Sequence, residues 1–185
     1  MGKKLSEMSL EELWQLFPIF LIEANPCWKQ WYAAEEKQLK SLLPAARISH
    51  IGSTAVDGIW AKNIVDILVE IPKESKIFDY KNLIMSCGYL CMSESEKGIS
   101  FNKGYTEKGF AEKVFHLHLR YLGDNDELYF RDYLIDHPDT AKEYETLKLG
   151  LWKLYEHDRD GYTNAKTEFV QKHTEIARVL YRNKY

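Results

Sequence analysis

The feature that most restricts the fold is an apolar, β-branched run at residues 64–71, which carries two carboxylates, Asp66 and Glu70. Such a run predicts a buried strand, and Pro72 ends it. Successive strand side chains point to opposite faces, so one face is wholly apolar and the other carries both acids. A carboxylate among apolar residues must be paired, hydrogen-bonded or metal-bound. The acidic face therefore predicts a polar site, with a salt bridge within the fold as the alternative for Asp66.

The turn before this strand carries groups that bind phosphate. Gly52, Ser53 and Thr54 follow a strand candidate at residues 45–51. Glycine lets a phosphate approach the backbone, and the hydroxyl and amide groups can donate to its oxygens. Turns are also rich in Gly and Ser for local reasons, so the triplet alone is a weak signal. Combined with Asp66 on the next strand, it predicts a phosphate site.

Two histidines lie on a later strand candidate at residues 113–122. His116 and His118 share one face with Arg120, opposite the residues expected in the core. Histidines at this spacing can ligate one transition metal, and either can transfer protons near neutral pH. Hydrogen bonding within a polar cleft is the third interpretation, and the sequence leaves all three open.

Lysines on the C-terminal helices complete the set of candidates. Lys166 lies on the inward stripe of the last predicted helix, and Tyr144 and Lys148 lie one turn apart on the helix before it. Such a tyrosine can stack on a base, and such a lysine can hold a phosphate. Lys62 directly precedes the acidic strand. The alternative for each of these cations is a solvated surface charge with no ligand. This alternative is least favoured for Lys62 and Lys166.

Composition limits the class of protein. A length of 185 residues favours one domain, with an N-terminal helical addition at 1–25, an α/β core at 26–126 and C-terminal helices at 127–185. A net charge of -3 disfavours duplex nucleic acid as a partner. The three cysteines fit no zinc spacing. Neither a signal peptide nor a membrane span is expected. Together with the odd number of cysteines, this favours a cytoplasmic location.

The order of predicted elements is helix, helix, strand, turn, strand, helix, three strands and then helices. Short connections containing glycine predict an antiparallel meander for residues 89–93, 99–105 and 113–122. Ser9 with Glu12 forms a capping-box pattern that predicts a helix start, and residues 158–161 are expected to break the helix that Pro138 opens. Thr163 is expected to cap the last helix. This order predicts an α+β fold, with a mixed sheet, helices on one face and a C-terminal helical unit.

These residues, taken together, resemble the GrpB family. The matching positions are residues 50–56, Gly58, residues 61–62, 64–68, 116–118, 130–134 and 137–138, Tyr144, Lys148, Tyr162 and Lys166. Asp57 and Asn63 stand where the family often has proline, and little chemical effect is expected from either. The resemblance spans residues 28–177. It implies the nucleotidyltransferase fold of the polymerase-beta superfamily, but no known reaction.

The sequence departs from that superfamily at Leu68. Active members carry two acids two residues apart on this strand, so that both bind the same metal pair. Glu70 shares the face, but its Cα lies about 13 Å from that of Asp66. Two carboxylates so placed do not readily chelate one magnesium ion, whose ligands lie at about 2.0–2.1 Å. His116 or His118 is the candidate for the position of a third acid.

Three hypotheses follow. In the first, Mg²⁺ or Mn²⁺ bound by Asp66 with His118 or Glu70 supports nucleotidyl or phosphoryl transfer. Its candidate catalytic residues are Asp66, His116 and His118. In the second, the chain is a degenerate, regulatory module that binds a nucleotide or small phosphorylated ligand without turnover. In the third, weaker hypothesis, His116 and His118 hold the metal of a hydrolase. The residues expected to bind the phosphate or nucleotide are Gly52, Ser53, Thr54, Lys62, Tyr144, Lys148, Tyr162 and Lys166.

Overall fold

A five-stranded mixed sheet forms the centre of the molecule, in the order β1-β2-β5-β4-β3. The computed structural model describes residues 3–182 and 184–185. The strands are β1 (Arg47–Ile51), β2 (Val65–Ile71), β3 (Leu90–Glu94), β4 (Gly98–Thr106) and β5 (Gly109–Tyr121). Strands β2 and β5 pair in parallel, and the other neighbours are antiparallel.

Within the described residues, seven α-helices lie before, between and after these strands. They are α1 (Leu10–Leu16), α2 (Cys27–Leu42), α3 (Ile77–Ser86), α4 (Asp126–Asp136), α5 (Pro138–Leu151), α6 (Arg159–Asn164) and α7 (Thr167–Leu180). Short 3-10 helices occupy Leu5–Glu7 and Ser53–Ala55. The predicted α+β fold is confirmed, including its mixed sheet and its C-terminal helices. In the described part of the chain, none of the helices has both the length and the apolar character needed to cross a bilayer.

The apolar face of β2 forms the main core, as its alternation predicts. Val65, Ile67, Val69 and Ile71 are buried against the residues of α2 and α3. On the opposite face, Leu68 packs with Ile51 and with Leu128 of α4. Helices α2 and α3 therefore cover one face, while the C-terminal unit covers part of the face that carries Asp66.

Among the described residues, side chains cap the starts of two α-helices, α1 and α6. Ser9 caps α1 and forms a reciprocal capping box with Glu12, as the sequence predicts. The predicted cap by Thr163 is wrong. Thr163 lies inside α6, whose actual cap is Asp158, and α7 begins at Thr167 without a side-chain cap. The sequence pattern of residues 158–161 indicates only a break in a helix, so it does not reveal the short helix α6 that begins there.

Glu70 holds three segments of the fold together through hydrogen bonds. Its buried carboxylate accepts two hydrogen bonds from the Arg47 guanidinium, at 2.5 and 2.7 Å. The same group accepts from the Gly123 backbone N–H at 3.2 Å and from the Asn125 side chain at 3.0 Å. One carboxylate thus connects β1, β2 and the segment that leads from β5 into α4.

Replacing Glu70 with alanine should destabilise the fold strongly. The change leaves Arg47, the Gly123 N–H and the Asn125 amide without their partner, and breaking a buried ion pair costs about 3–5 kcal/mol. Urea denaturation would measure the loss of unfolding free energy. Glu94→Ala is the control, because it removes an exposed pair with Lys81, for which about 0–1 kcal/mol is expected. A Glu70→Ala loss no larger than that of the control would contradict this role.

Candidate functional site

A cavity of about 130 Å³ lies between the turn before β2 and the C-terminal helices. We call it the lysine cavity. The structure brings Asp66 and all the residues that the sequence suggested for phosphate or nucleotide binding to its lining. The lining consists of Gly52, Ser53, Thr54, Ala61, Lys62, Ile64, Asp66, Tyr144, Lys148, Tyr162 and Lys166. Segments more than a hundred residues apart in the chain therefore meet around one small space.

The turn can reach Asp66 only because residue 52 is glycine. Gly52 has φ +70° and ψ -174°, a region that is open essentially to glycine alone. A Cβ at this position would lie 2.5 Å from Oδ2 of Asp66. The carboxylate thus occupies the space where a side chain would stand, and it lies directly against the backbone of the turn.

His50 contacts the same turn through its side chain. Its Nε2 lies 2.9 Å from the hydroxyl of Thr54, and its ring stacks on Tyr32 with 4.7 Å between centroids. Burial lowers the pKa of His50 to about 4. The ring is therefore neutral at physiological pH and acts as a fixed hydrogen-bonding partner of the turn.

Asp66 lies at one end of a hydrogen-bonded chain that crosses the sheet. Parallel pairing places His116 beside it, with 3.3 Å between Nδ1 and Oδ1. His116 Nε2 lies 2.8 Å from the Tyr105 hydroxyl, and Arg159 donates to that hydroxyl at 2.9 Å. Arginine can only donate. An ionised carboxylate can only accept, so His116, which burial keeps neutral, carries its one N–H on Nδ1, facing Asp66. Nε2 is then the acceptor, and the tyrosine proton points to it.

This direction of donation keeps Asp66 ionised. Burial by itself would raise the pKa of Asp66, but the hydrogen bond from His116, assisted by the charge of Lys62, holds it below the ordinary value. Burial also lowers the pKa of His116, against the pull of Asp66. The arrangement is a neutral histidine that donates to a carboxylate.

Tyr105 and Arg159 are functional candidates that the sequence reasoning missed. A shift in register between Lys103 and Tyr105 places Tyr105 over His116. Gly104 permits that shift, since its φ is +90° and a Cβ there would lie 2.2 Å from the Lys113 carbonyl. A glycine inside a strand candidate is a signal from which this bulge could have been predicted. No comparable signal marked Arg159.

Three lysines crowd the lysine cavity. Lys148 is almost fully buried and donates to the Trp60 carbonyl. The ammonium groups of Lys166 and Lys62 lie 4.1 and 5.8 Å from the centre of the Tyr162 ring. The Tyr162 hydroxyl is buried and has no hydrogen-bond partner among the described residues. An uncompensated polar group of this kind costs about 1–3 kcal/mol.

Burial and mutual repulsion weaken the protonation of these lysines. Burial, with the nearby Arg159, lowers the pKa of Lys62 to about 8. Burial lowers the pKa of Lys148 to about 7, and the charge of Lys62 adds to this effect. Lys166 reaches about 7 through burial and the charges of Lys62 and Lys148. Asp66 is the single carboxylate in the lining, so positive charge predominates below these pKa values.

The expected metal set of Asp66, Glu70 and His118 does not form, and this is a correction. Glu70 is saturated by Arg47, Gly123 and Asn125. In residues 3–182 and 184–185, no three His, Cys, Asp or Glu side chains are grouped to hold a metal ion. Leu68, at the position of the second acid, is fully buried. The residues present do not fit the two-metal arrangement that the sequence resemblance implies for active enzymes.

The two histidines do not act as a pair either. Both ring nitrogens of His116 have partners, Asp66 and Tyr105. His118 lies beside Leu68 in the sheet, and burial lowers its pKa to about 4. Its Nδ1 has no hydrogen-bond partner within the described chain. A transition metal shared by His116 and His118 would have to break the contacts of His116.

Gly52→Ala should destabilise the protein by more than backbone strain alone. Gly58→Ala is the matched control, because Gly58 has a similar φ of +74° and open space around its Cβ. Strain accounts for about 1–3 kcal/mol in each variant, and only Gly52→Ala also displaces the Asp66 carboxylate. Urea denaturation would measure both. Most of the excess should disappear when Gly52→Ala is made in an Asp66→Ala background, since only the Cβ of residue 66, at 3.2 Å, then remains in contact. An excess that persists in full would contradict the contact with the carboxylate.

Comparisons with known proteins identify the family. The family model described as GrpB protein matches residues 18–175. A UPF0157 protein of Pseudomonas aeruginosa is 35% identical over 159 residues, which cover 83% of this chain and 65% of that protein. The glutamate-rich protein GrpB of Alkalihalophilus pseudofirmus is 33% identical over 161 residues, covering 83% of this chain and 92% of that protein.

A solved structure agrees with this assignment. The crystal structure of the conserved protein GrpB from Enterococcus faecalis matches with a TM-score of 0.75 and 27% identity, covering 88% of this chain and 99% of that one. The present chain spans just under two-thirds of the Pseudomonas aeruginosa relative. The family match covers most of the sequence and includes every residue of the lysine cavity, and the chain belongs to the GrpB family.

Proposed function

We propose that this chain binds a phosphorylated small molecule, a nucleotide by class, with an anionic phosphate in the lysine cavity. The observation that carries the proposal is the convergence of Lys62, Lys148 and Lys166 on one cavity of about 130 Å³. Such a volume suits a phosphate group rather than a whole nucleotide. The rest of the ligand must therefore extend beyond this cavity.

The charge balance supports an anionic occupant. In the cavity lining, three ammonium groups face one carboxylate, Asp66. Their pKa values are lowered first by burial and then by the positive charges of their neighbours. A phosphate would favour their charged forms, because a nearby opposite charge stabilises ionisation. It would also offer an acceptor to the unpaired hydroxyl of Tyr162.

The geometry favours binding without metal-dependent turnover. Lysines occupy the surroundings of Asp66, and Leu68 occupies the place of the second acid. In a two-metal site, the metal ions would neutralise the negative charge of the phosphate ligand. Here the ammonium groups of the lysines can neutralise it. This supports a degenerate binding module over a nucleotidyl or phosphoryl transferase. Release of pyrophosphate from a nucleoside triphosphate by the purified protein with Mg²⁺ or Mn²⁺ would overturn the binding-only assignment.

Lys166→Met should weaken binding of inorganic tripolyphosphate in the presence of EDTA. The loss of one charge-assisted hydrogen bond, worth about 1.5–3 kcal/mol, corresponds to a roughly 10- to 150-fold rise in Kd. Isothermal titration calorimetry would measure it. Lys172→Met is the control, since Lys172 is exposed on the same helix and should leave Kd unchanged. Equal affinity of the two variants, or binding that requires a divalent metal, would contradict the proposal.

Anion binding should weaken as the pH rises. Lys148 and Lys166, with pKa values of about 7, and Lys62, at about 8, lose their charge as the pH passes those values. The affinity for sulfate, whose own charge is constant in this range, should fall between about pH 6 and pH 9. Titrations at constant ionic strength would show it, and Lys166→Met should flatten the profile. An affinity independent of pH would count against lysine-mediated binding.

A further inference from the structure

A second, larger cavity adjoins the lysine cavity. It has a volume of about 490 Å³ and shares Lys62 and Ile64 with the smaller one. We call it the aromatic cavity, because Phe20, Trp31 and Phe110 contribute to its lining. Ligand pockets for small organic molecules typically measure about 300–1,000 Å³. The aromatic cavity lies within that range, whereas the lysine cavity is well below it.

Two asparagines give the aromatic cavity hydrogen-bond donors. Asn63 accepts from the Trp28 indole N–H at 2.7 Å, and Asn25 accepts from the Cys27 backbone N–H at 2.9 Å. Both partners can only donate, so in each asparagine the carbonyl oxygen is engaged and the NH₂ group is left. Neither NH₂ group has a hydrogen-bond partner in the described part of the chain, and both residues line the cavity.

We propose that the aromatic cavity receives the planar base of a nucleoside phosphate whose phosphate lies in the lysine cavity. The inference rests on the proposed function, which supplies the phosphate. Stacking against Trp31, Phe20 or Phe110 suits any base. The NH₂ groups of Asn25 and Asn63 select a base that presents carbonyl or ring-nitrogen acceptors. Lys62, at the junction, lies between the two parts of the ligand.

Cys27 provides a probe within the aromatic cavity, since it belongs to the lining. Cys91 is a matched internal control, because it is partly exposed to a similar degree and lies outside the cavity. Saturating ATP or UTP should slow alkylation of Cys27 by N-ethylmaleimide at least fivefold, measured by peptide mass spectrometry. Inorganic tripolyphosphate should leave the rate unchanged, and neither ligand should alter the rate at Cys91.

A variant that fills the aromatic cavity tests the same inference by affinity. Ala111 is exposed and lines the cavity. Ala111→Trp should raise the Kd for ATP and UTP at least tenfold and leave that for tripolyphosphate unchanged. Lys113→Trp is the control, since Lys113 is exposed outside the lining.

The outcomes separate the two proposals. If tripolyphosphate binds through Lys166, but ATP and UTP bind no more tightly and leave Cys27 unprotected, the inference about the base is overturned and the phosphate site stands. If none of the three ligands binds, the proposed function fails. If ATP or UTP protects Cys27 and loses affinity in Ala111→Trp, the arrangement of base and phosphate is supported.

Discussion

The site depends on the contact between the Asp66 carboxylate and the backbone at Gly52. The carboxylate occupies the position of a missing side chain, which determines how closely the turn approaches β2. The hydroxyls of Ser53 and Thr54 are brought to the lysine cavity by the same turn. His50 contacts the turn at Thr54, and His116 contacts the Asp66 carboxylate, so each partner in this contact is held by a histidine. A bulkier residue at position 52 would therefore move the turn, the acid and the cavity wall together.

Much of the fold follows from local sequence patterns. The alternation in residues 64–71 predicted which face of β2 enters the core, and Ser9 with Glu12 predicted a helix start. The interpretation of Glu70 went wrong for a physical reason. A buried acid on the polar face is compatible with a metal ligand or an ion pair. The pairing with Arg47, Gly123 and Asn125 becomes visible only when the strands are placed in register.

The candidate site was predictable in part. The resemblance and helical spacing identified Lys148 and Lys166, but an inward lysine and a solvated lysine share the same sequence pattern. Their convergence depends on how α5, α6 and α7 return to the sheet. Asn63 is a residue whose importance the sequence underestimated. It was expected to have little chemical effect, yet its amide lines the aromatic cavity because the indole of Trp28 orients it.

The hydrogen-bonded chain from Arg159 through Tyr105 and His116 has a consequence for Asp66. Every donor points toward the carboxylate, and the chain begins at a guanidinium that cannot give up its proton in a protein. The chain therefore offers Asp66 no route for releasing a proton through Arg159. With its pKa held below the ordinary value, Asp66 remains a counter-charge at neutral pH. The net charge of the cavity changes in that range through the lysines around it.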